Sequence, residues 1–352
     1  MNTKHNTNKG VPLMTRDRLS VALGMSLLFV GIGLVANKVR RIFLFNFSML
    51  LILFSCSVSV NVQAEGTIKV LMIEGVSNHD WRHRSDIIRT ILDKEGSFDI
   101  TMTITPSVVD DPAWDSWRPN FSEYDVVMSG YNNLGRNKPS WPKEVQQAFE
   151  RYLQAGGGFY VYHEANNAFK GWPEYNKMIG LGWRNAKFGK AIVITPDGSL
   201  QYIAAGKGKN TGHGPRANTL LTRMNNHPIH SGLPDKWMAA DLEVYRYARG
   251  PAENVTVMSY ATDAVTSLQF PTEWVVQYGA GHSYVSTYGH VWKDQQEPEG
   301  IRCVAFQTIM VRALKWLAGK QPDSSVPDEF PTEHKPSLRP YARTIYTQNT
   351  SK

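Results

Sequence analysis

Cysteine is scarce in this sequence of 352 residues, which contains only Cys56 and Cys303. Cys56 lies in an N-terminal segment that we expect to be removed, and the single cysteine that remains forms no internal disulfide. The stability of the mature chain must therefore come from a packed core. With 42% hydrophobic and 20% charged residues, the chain has the composition of a globular protein long enough to bury one.

The chain beyond residue 64 also lacks the excess of positive charge that would make a basic surface. The net charge is +7, but residues 1–64 carry seven Lys or Arg and one acid, Asp17, so this segment accounts for six of the seven charges. Nucleic-acid binding depends on a basic face that displaces counterions from phosphates. The nearly neutral remainder predicts no nucleic-acid partner.

The N-terminal segment has the order of a targeting signal. Lys38, Arg40 and Arg41 precede the apolar run 42–60, and small residues follow up to Ala64. This order predicts a leader over residues 1–64, cleavage after Ala64 and export to the periplasm or the exterior. Membrane contact is then expected only through the leader.

Two other interpretations of the leader stay open. A second apolar stretch at 19–36 is long enough to span a bilayer, so the leader is alternatively a two-segment anchor, or the true start lies further along the chain. A lipoprotein signal ending at Cys56 is the weaker alternative because the bulky Phe54 lies two residues before the cysteine.

From Thr67 onward, short apolar runs alternate with amphipathic segments, which is typical of βα units and predicts an α/β fold with a mostly parallel sheet. The pattern predicts helices at 84–94, from Pro142 to 153, and at 301–318, and strands at 68–73, 99–104, 124–128, 159–162, 191–195, 255–260 and, on either side of a turn, within 274–288.

Three further features complete this organisation. A long irregular insert is predicted at about 198–232, and such loops often carry function. Residues 320–352 contain scattered prolines and predict an extended tail. Cys303 shares the apolar stripe of the last predicted helix with Phe306 and Met310, so we expect it to be a core residue.

Polar side chains cluster directly after several predicted strands. The segment 78–81 (Asn-His-Asp-Trp) follows the first strand, 163–167 (His-Glu-Ala-Asn-Asn) follows the fourth, and His290 follows the last. Parallel strands end on the same side of a sheet, and ligands bind at that edge. We therefore expect His163 and His290 to meet in one pocket although they are 127 positions apart.

The sequence argues against thiol and serine acyl transfer in this pocket. His163 occupies the strand-to-helix turn where a class I glutamine amidotransferase has cysteine and a nucleophile-elbow hydrolase has serine between glycines.

The candidate side chains include donor atoms that are able to bind a metal ion. Zinc and iron accept imidazole nitrogens and carboxylate oxygens. No close-spaced signature such as His-Glu-x-x-His occurs, so a cofactor cannot be assigned from sequence. The candidate donors are His79, His163, His213, His227, His290, Asp80, Glu164 and Glu243.

Several blocks of the chain resemble the ThuA-like, trehalose-utilisation family over most of residues 67–319. The blocks are 156–169 (GGGFYVYHEANNAF), 172–175 (WPEY), 180–184 (GLGWR), 213–216 (HGPR), 227–229 (HPI), 232–234 (GLP), 249–252 (RGPA), 278–279 (YG), 289–290 (GH) and 302–307 (RCVAFQ).

The resemblance implies a flavodoxin-like three-layer sandwich of the class I glutamine-amidotransferase type without its cysteine nucleophile, over residues 65–319. It also implies a role in disaccharide and keto-sugar metabolism. Where the family commonly has Asp-Glu-x-Tyr, this chain has Leu242 before Glu243 and Tyr245, and Ala280 and His282 replace residues that are usually basic. These departures concern substrate specificity.

The expected function is acid/base chemistry on a disaccharide or 3-keto-sugar, by isomerisation, elimination or hydrolysis, because histidine titrates near neutral pH. The alternative is a non-catalytic carbohydrate-binding module, and the oligomeric state, including a homo-oligomer, stays open. The catalytic candidates are His163, Glu243 and His290, and the substrate-binding candidates are His79, Asp80, Trp81, Asn166, Asn167, Trp183, His213, Arg216, His227 and Tyr245.

Cleavage of the leader is directly testable. Because the basic and apolar segments end at small residues before Glu65, N-terminal sequencing of the exported protein should begin at Glu65. Recovery of a lipid-modified Cys56 or of the uncleaved N-terminus would contradict this prediction.

Overall fold

The structure, a computed structural model, describes residues 66–135 and 137–346, so the predicted leader lies outside the described residues. A twelve-stranded sheet organises this part of the chain. One half of the sheet is parallel, in the order β2-β1-β3-β4-β14, as the alternating βα pattern predicts. Its strands are β1 Ile68–Glu74, β2 Phe98–Ile104, β3 Val126–Ser129, β4 Gly158–Val161 and β14 Gly281–Ser286.

Helices cover both faces of the parallel half and make three layers. In β1, Val70 and Met72 contribute to one buried cluster, whereas Leu71 and Ile73 contribute to the other. A strand that is buried on both faces reads as a continuous apolar run, which is why β1 is recognisable from sequence. The helices are α1 Trp81–Glu95, α2 Lys143–Gln154, α3 Pro173–Ile179, α4 Glu299–Arg302 and α5 Val304–Leu317.

Antiparallel strands extend the sheet beyond β14. The order continues through β13, β12, β8 and β9, while β5, β6 and β11 branch from β13. A separate two-stranded ribbon pairs β7 with β10. The strands are β5 Lys190–Ile194, β6 Leu200–Ile203, β7 Gly212–His213, β8 Ala217–Arg223, β9 Lys236–Leu242, β10 Tyr245–Arg246, β11 Arg249–Gly250, β12 Val255–Thr262 and β13 Gln269–Tyr278.

The insert at 198–232 is more ordered than the sequence suggested. It contains β6, β7 and β8, and β8 pairs with both β9 and β12. Most residues of β8 are polar or partly exposed, so the apolar pattern that marks a buried strand is absent there. Its pairing comes from strands that lie elsewhere in the sequence, so the prediction of an irregular insert was wrong.

The predicted helix at 301–318 is also broken. Cys303 has an extended backbone (φ −58°, ψ 126°) that separates α4 from α5, and it forms a bridge with Leu338 of the tail. A local sequence pattern cannot reveal such a tertiary contact. Cys303 is fully buried in the core, as expected.

The C-terminal tail is extended but packs on the domain. The Tyr341 hydroxyl lies 2.7 Å from His83 Nε2, and Arg343 forms a 2.9 Å ion pair with Asp86, both on α1. The tail up to residue 346 is therefore part of the folded unit. No helix within the described ranges is both long and apolar enough to cross a bilayer.

Candidate functional site

Three histidines meet at the carboxyl edge of the parallel strands. His79 follows β1, His163 follows β4 and His290 follows β14. Their ring centroids are 5.3 Å (His79 to His163), 4.8 Å (His79 to His290) and 5.1 Å (His163 to His290) apart. All three side chains are buried. The convergence of His163 and His290 follows from the strand order, as the sequence predicted, and His79 joins them.

Hydrogen bonds orient two of these rings. His163 Nδ1 donates to the Thr287 carbonyl oxygen at 2.9 Å, and His79 Nδ1 donates to Asn78 Oδ1 at 3.0 Å. Because the Nδ1 atoms carry the protons, each Nε2 presents a lone pair. One nitrogen from each of the three histidines lies within 4.8 Å of the others. The group has the donor chemistry of a metal site.

Arg216 orients the third ring. Its Nη1 lies 2.6 Å from His290 Nδ1, and because a guanidinium only donates, this nitrogen accepts. The proton of neutral His290 is then on Nε2, which lies 3.4 Å from Glu243 Oε1. Arg216 also contacts Asp241 and Gln295, each at 3.3 Å.

Glu243 brings a carboxylate close to the histidines. It follows β9, and its oxygens lie 3.7 Å from His163 Nε2 and 3.8 Å from His213 Nε2. Burial raises the pKa of this carboxyl, although the charges of His213 and Arg216 lower it. Glu243 is thus a candidate base with an elevated affinity for a proton.

The three imidazoles are neutral at physiological pH. Burial lowers the pKa of His79 to about 3 and that of His163 to about 3, and neighbouring positive charges act in the same direction. Burial also strongly lowers the pKa of His290. Neutral imidazoles accept protons or bind metals and do not act as resident acids, which alters the acid/base role expected for His163 and His290.

A buried arginine supports the turn that carries His163. Arg84 forms ion pairs with Glu74 at the end of β1 and with Glu164, next to His163. Burial alone would lower the pKa of Arg84, but Glu164 and Glu74 raise it, so its charge is secure. His163 itself has a positive φ of 22°, so its conformation depends on these surroundings.

The histidine cluster opens into a cavity of about 370 Å³. Its wall includes most of the residues predicted from sequence, while His163 lies behind this wall with its Nε2 3.4 Å from the Tyr245 hydroxyl. The lining residues are Asn78, His79, Leu134, Asn167, Trp183, His213, Arg216, Glu243, Tyr245, His290 and Trp292.

Four predicted substrate-binding residues lie outside this wall. Asp80 caps α1 by accepting a hydrogen bond from the His83 backbone at 3.1 Å, and Trp81 is buried as the first residue of that helix. Asn166 is fully buried and does not line the cavity. His227 packs 4.6 Å from the Trp316 ring on α5. The positions of these four residues in the sequence do not distinguish such structural roles from contact with a ligand.

Sequence reasoning missed three contributors, Leu134, Trp292 and Arg84. Leu134 lines the cavity, and Trp292 lies at its mouth with 43% of its surface exposed. Asn78 also lines the cavity and lies in the predicted segment 78–81, although it is not one of the predicted binding residues. Trp292 follows His290 by two residues, so its position after a strand end was an available signal. Arg84 gave no such signal because it appears in sequence as one of several charged residues of α1.

The family model ThuA, described as trehalose utilisation, matches residues 69–317. A crystal structure of a ThuA-like protein from Parabacteroides merdae ATCC 43184 has 32% sequence identity and a TM-score of 0.71, covering 78% of this chain and 98% of that one. The chain belongs to the ThuA family. It is thereby linked to carbohydrate metabolism.

Two other solved structures are much less similar to this ThuA chain and say nothing about its chemistry. A cytoplasmic protein from Salmonella typhimurium is 13% identical, with a TM-score of 0.40 over 71% of this chain and 99% of that one. A β-galactosidase from Bacillus circulans sp. alkalophilus is 14% identical, with a TM-score of 0.40 over 75% of this chain and 33% of that one. No curated protein matches the sequence.

The support that Arg84 gives to the ThuA site can be tested at Gly130. A Cβ atom at this position would collide with the Arg84 guanidinium. Because displacing Arg84 breaks a buried ion pair, Gly130→Ala should lower the free energy of unfolding by about 3–5 kcal/mol in urea denaturation. Gly171→Ala is the control, since nothing lies within 4 Å of its Cβ position. Equal stability of the two variants would contradict the interpretation.

Proposed function

We propose that this protein is a sugar-converting enzyme that transfers a proton at a carbon next to a carbonyl group, assisted by a divalent metal. The observation that carries the proposal is the cluster of His79, His163 and His290, buried and neutral beside Glu243 at a cavity of about 370 Å³. The substrate class is a disaccharide or 3-keto-sugar, consistent with the family's description as trehalose utilisation.

The spacing of the donor atoms supports a metal site. In tetrahedral coordination with bonds of about 2.0–2.1 Å, two ligand atoms lie about 3.3–3.4 Å apart. One nitrogen from each of His79, His163 and His290 lies within 4.8 Å of the others, so a bound cation would draw the three nitrogens closer together. The hydrogen bonds to Thr287 and Asn78 are the outer contacts that orient metal-binding histidines.

Arg216 imposes one condition on this site. Coordination through His290 Nε2 requires the proton on Nδ1, so the contact between Arg216 and that nitrogen must open. Asp241 and Gln295 remain available to hold the guanidinium.

Glu243 is the proposed base. When bound, a divalent cation would polarise the substrate carbonyl and make the adjacent C–H acidic. Glu243 removes this proton because its carboxylate lines the cavity beside the histidines. Return of the proton from Glu243 to the former carbonyl carbon, while the proton of the adjacent hydroxyl passes to the former carbonyl oxygen, completes an isomerisation. In an elimination, the glycosidic C–O bond breaks as a C=C bond forms, and Glu243 gives the proton to the departing oxygen.

Direct hydrolysis by two carboxylates is less well supported. It requires Glu164 and Glu243 to face one glycosidic bond. Glu164 is buried, pairs with Arg84 and accepts a hydrogen bond from Ser77 Oγ at 3.2 Å. Its Oε1 is therefore engaged by Arg84 and Ser77, and Glu164 is not part of the cavity wall.

The location of the enzyme is also proposed. Export rests on the basic and apolar order of residues 38–64, which lie outside the described part of the chain.

Exchange of carbon-bound hydrogen tests the proposed reaction. In D₂O, the wild-type protein should introduce deuterium next to the carbonyl of a 3-keto-glucoside, observed by NMR. Glu243→Gln keeps the shape of the side chain but removes the base, so exchange should slow about a hundredfold or more.

Glu253→Gln, at an exposed position, is the matched control and should exchange at the wild-type rate. Unchanged exchange in Glu243→Gln would reject Glu243 as the base. Binding of the sugar without exchange by the wild-type protein would instead favour a carbohydrate-binding module.

Metal content tests the histidine cluster. After chelation and reloading with Zn²⁺, the wild-type protein should retain about one equivalent by elemental analysis, and His163→Ala should retain little because one of three imidazole ligands is lost. His227→Ala should bind like the wild type, since His227 packs against Trp316. Full exchange activity in wild-type protein that holds no metal would reject the metal and keep the role of Glu243.

A further inference from the structure

An exposed indole lies at the mouth of the cavity. Trp292 is 43% exposed, and its ring is nearly parallel to His290, with 5.9 Å between centroids and 17° between planes. The Trp292 ring is nearly perpendicular to the His79 ring, with 5.0 Å between the two centroids. Large aromatic side chains are usually buried. The exposure of the Trp292 side chain beside the histidine cluster therefore suggests that it contacts a ligand.

A second indole lies at the other end of a chain of ring contacts. Trp183 packs edge-on against Tyr245 at 5.2 Å and near His213 at 5.7 Å. Tyr245 in turn contacts His163 at 5.6 Å. Trp292 and Trp183 therefore flank the histidine cluster, and both line the same cavity.

An unsatisfied polar atom lies on the Trp183 side. Asn167 is 6% exposed and lines the cavity, and its Oδ1 has no hydrogen-bond partner among the described residues. A buried acceptor without a partner costs about 1–3 kcal/mol. A hydroxyl group of a ligand would satisfy this oxygen.

We infer that the cavity is a two-ring saccharide site in which Trp292 stacks on the outer sugar and Trp183 with Asn167 holds the sugar that reacts. Sugar rings present apolar C–H faces to aromatic side chains and hydroxyl groups to amides. A volume of about 370 Å³ lies at the lower end of the range for small-molecule sites. The assignment rests on the proposed function because it places the reacting ring over the histidines.

Calorimetric titration with two sugars tests the assignment. The wild-type protein should bind trehalose more tightly than methyl α-glucoside. Trp292→Ala should weaken trehalose binding about tenfold or more and change methyl α-glucoside binding less than about twofold, because only the outer ring loses its contact. Trp292→Phe should retain most of the affinity for trehalose.

Tyr202→Ala is the matched control, because Tyr202 is 50% exposed and lies outside the cavity wall. It should bind both sugars like the wild type. Asn167→Leu should weaken the binding of both sugars, since its amide contacts the inner ring. Equal affinity of Trp292→Ala and the wild type for trehalose would overturn the inference, as would the failure of wild-type protein to bind either sugar.

The exchange reaction separates this inference from the proposed function. Normal trehalose binding by Trp292→Ala, together with hydrogen exchange by the wild type, would reject the stacking site alone. Weakened trehalose binding by Trp292→Ala, together with no exchange by the wild type, would support the saccharide site and reject the proposed catalysis.

Discussion

The ion pairs of Arg84 with Glu74 and Glu164 are the interaction on which the site depends. Glu74 ends β1, Glu164 follows β4, and Gly130 after β3 leaves room for the guanidinium, so one side chain connects the ends of three neighbouring strands. A charge buried this deeply is tolerated because both carboxylates compensate it. Its positive field also reaches His79 and His163, where it adds to burial in lowering the imidazole pKa values.

The two halves of the sheet contribute different chemistry. The parallel half supplies the three histidines from strand ends, where regular geometry brings residues that are distant in sequence together. Glu243 and Tyr245 come from the antiparallel extension, between β9 and β10. The parallel half thus provides the donor cluster, while the antiparallel strands bring a carboxylate and aromatic contacts to it.

The sequence predicted those features whose causes are local or follow from parallel topology. The apolar run of β1 and the position of His163 after β4 are of this kind. The sequence-based prediction failed where the structure depends on contacts between residues distant in sequence. The strand β8 forms because it pairs with β12, and the last helix is interrupted at Cys303 because this residue pairs with Leu338. The prediction also could not distinguish a helix cap from a ligand contact, since Asp80 and His79 are adjacent and both polar. Only the direction of each side chain separates their roles.

The docking of the tail on α1 connects the two ends of the described domain. Tyr341 contacts His83 and Arg343 contacts Asp86, whereas the loop that carries His79 leads directly into the same helix. Residues near the beginning of the described domain therefore take part of their surroundings from residues 258 positions later in the chain. These contacts form only when both ends of the described domain are folded together, and a chain cut before Tyr341 would lose them.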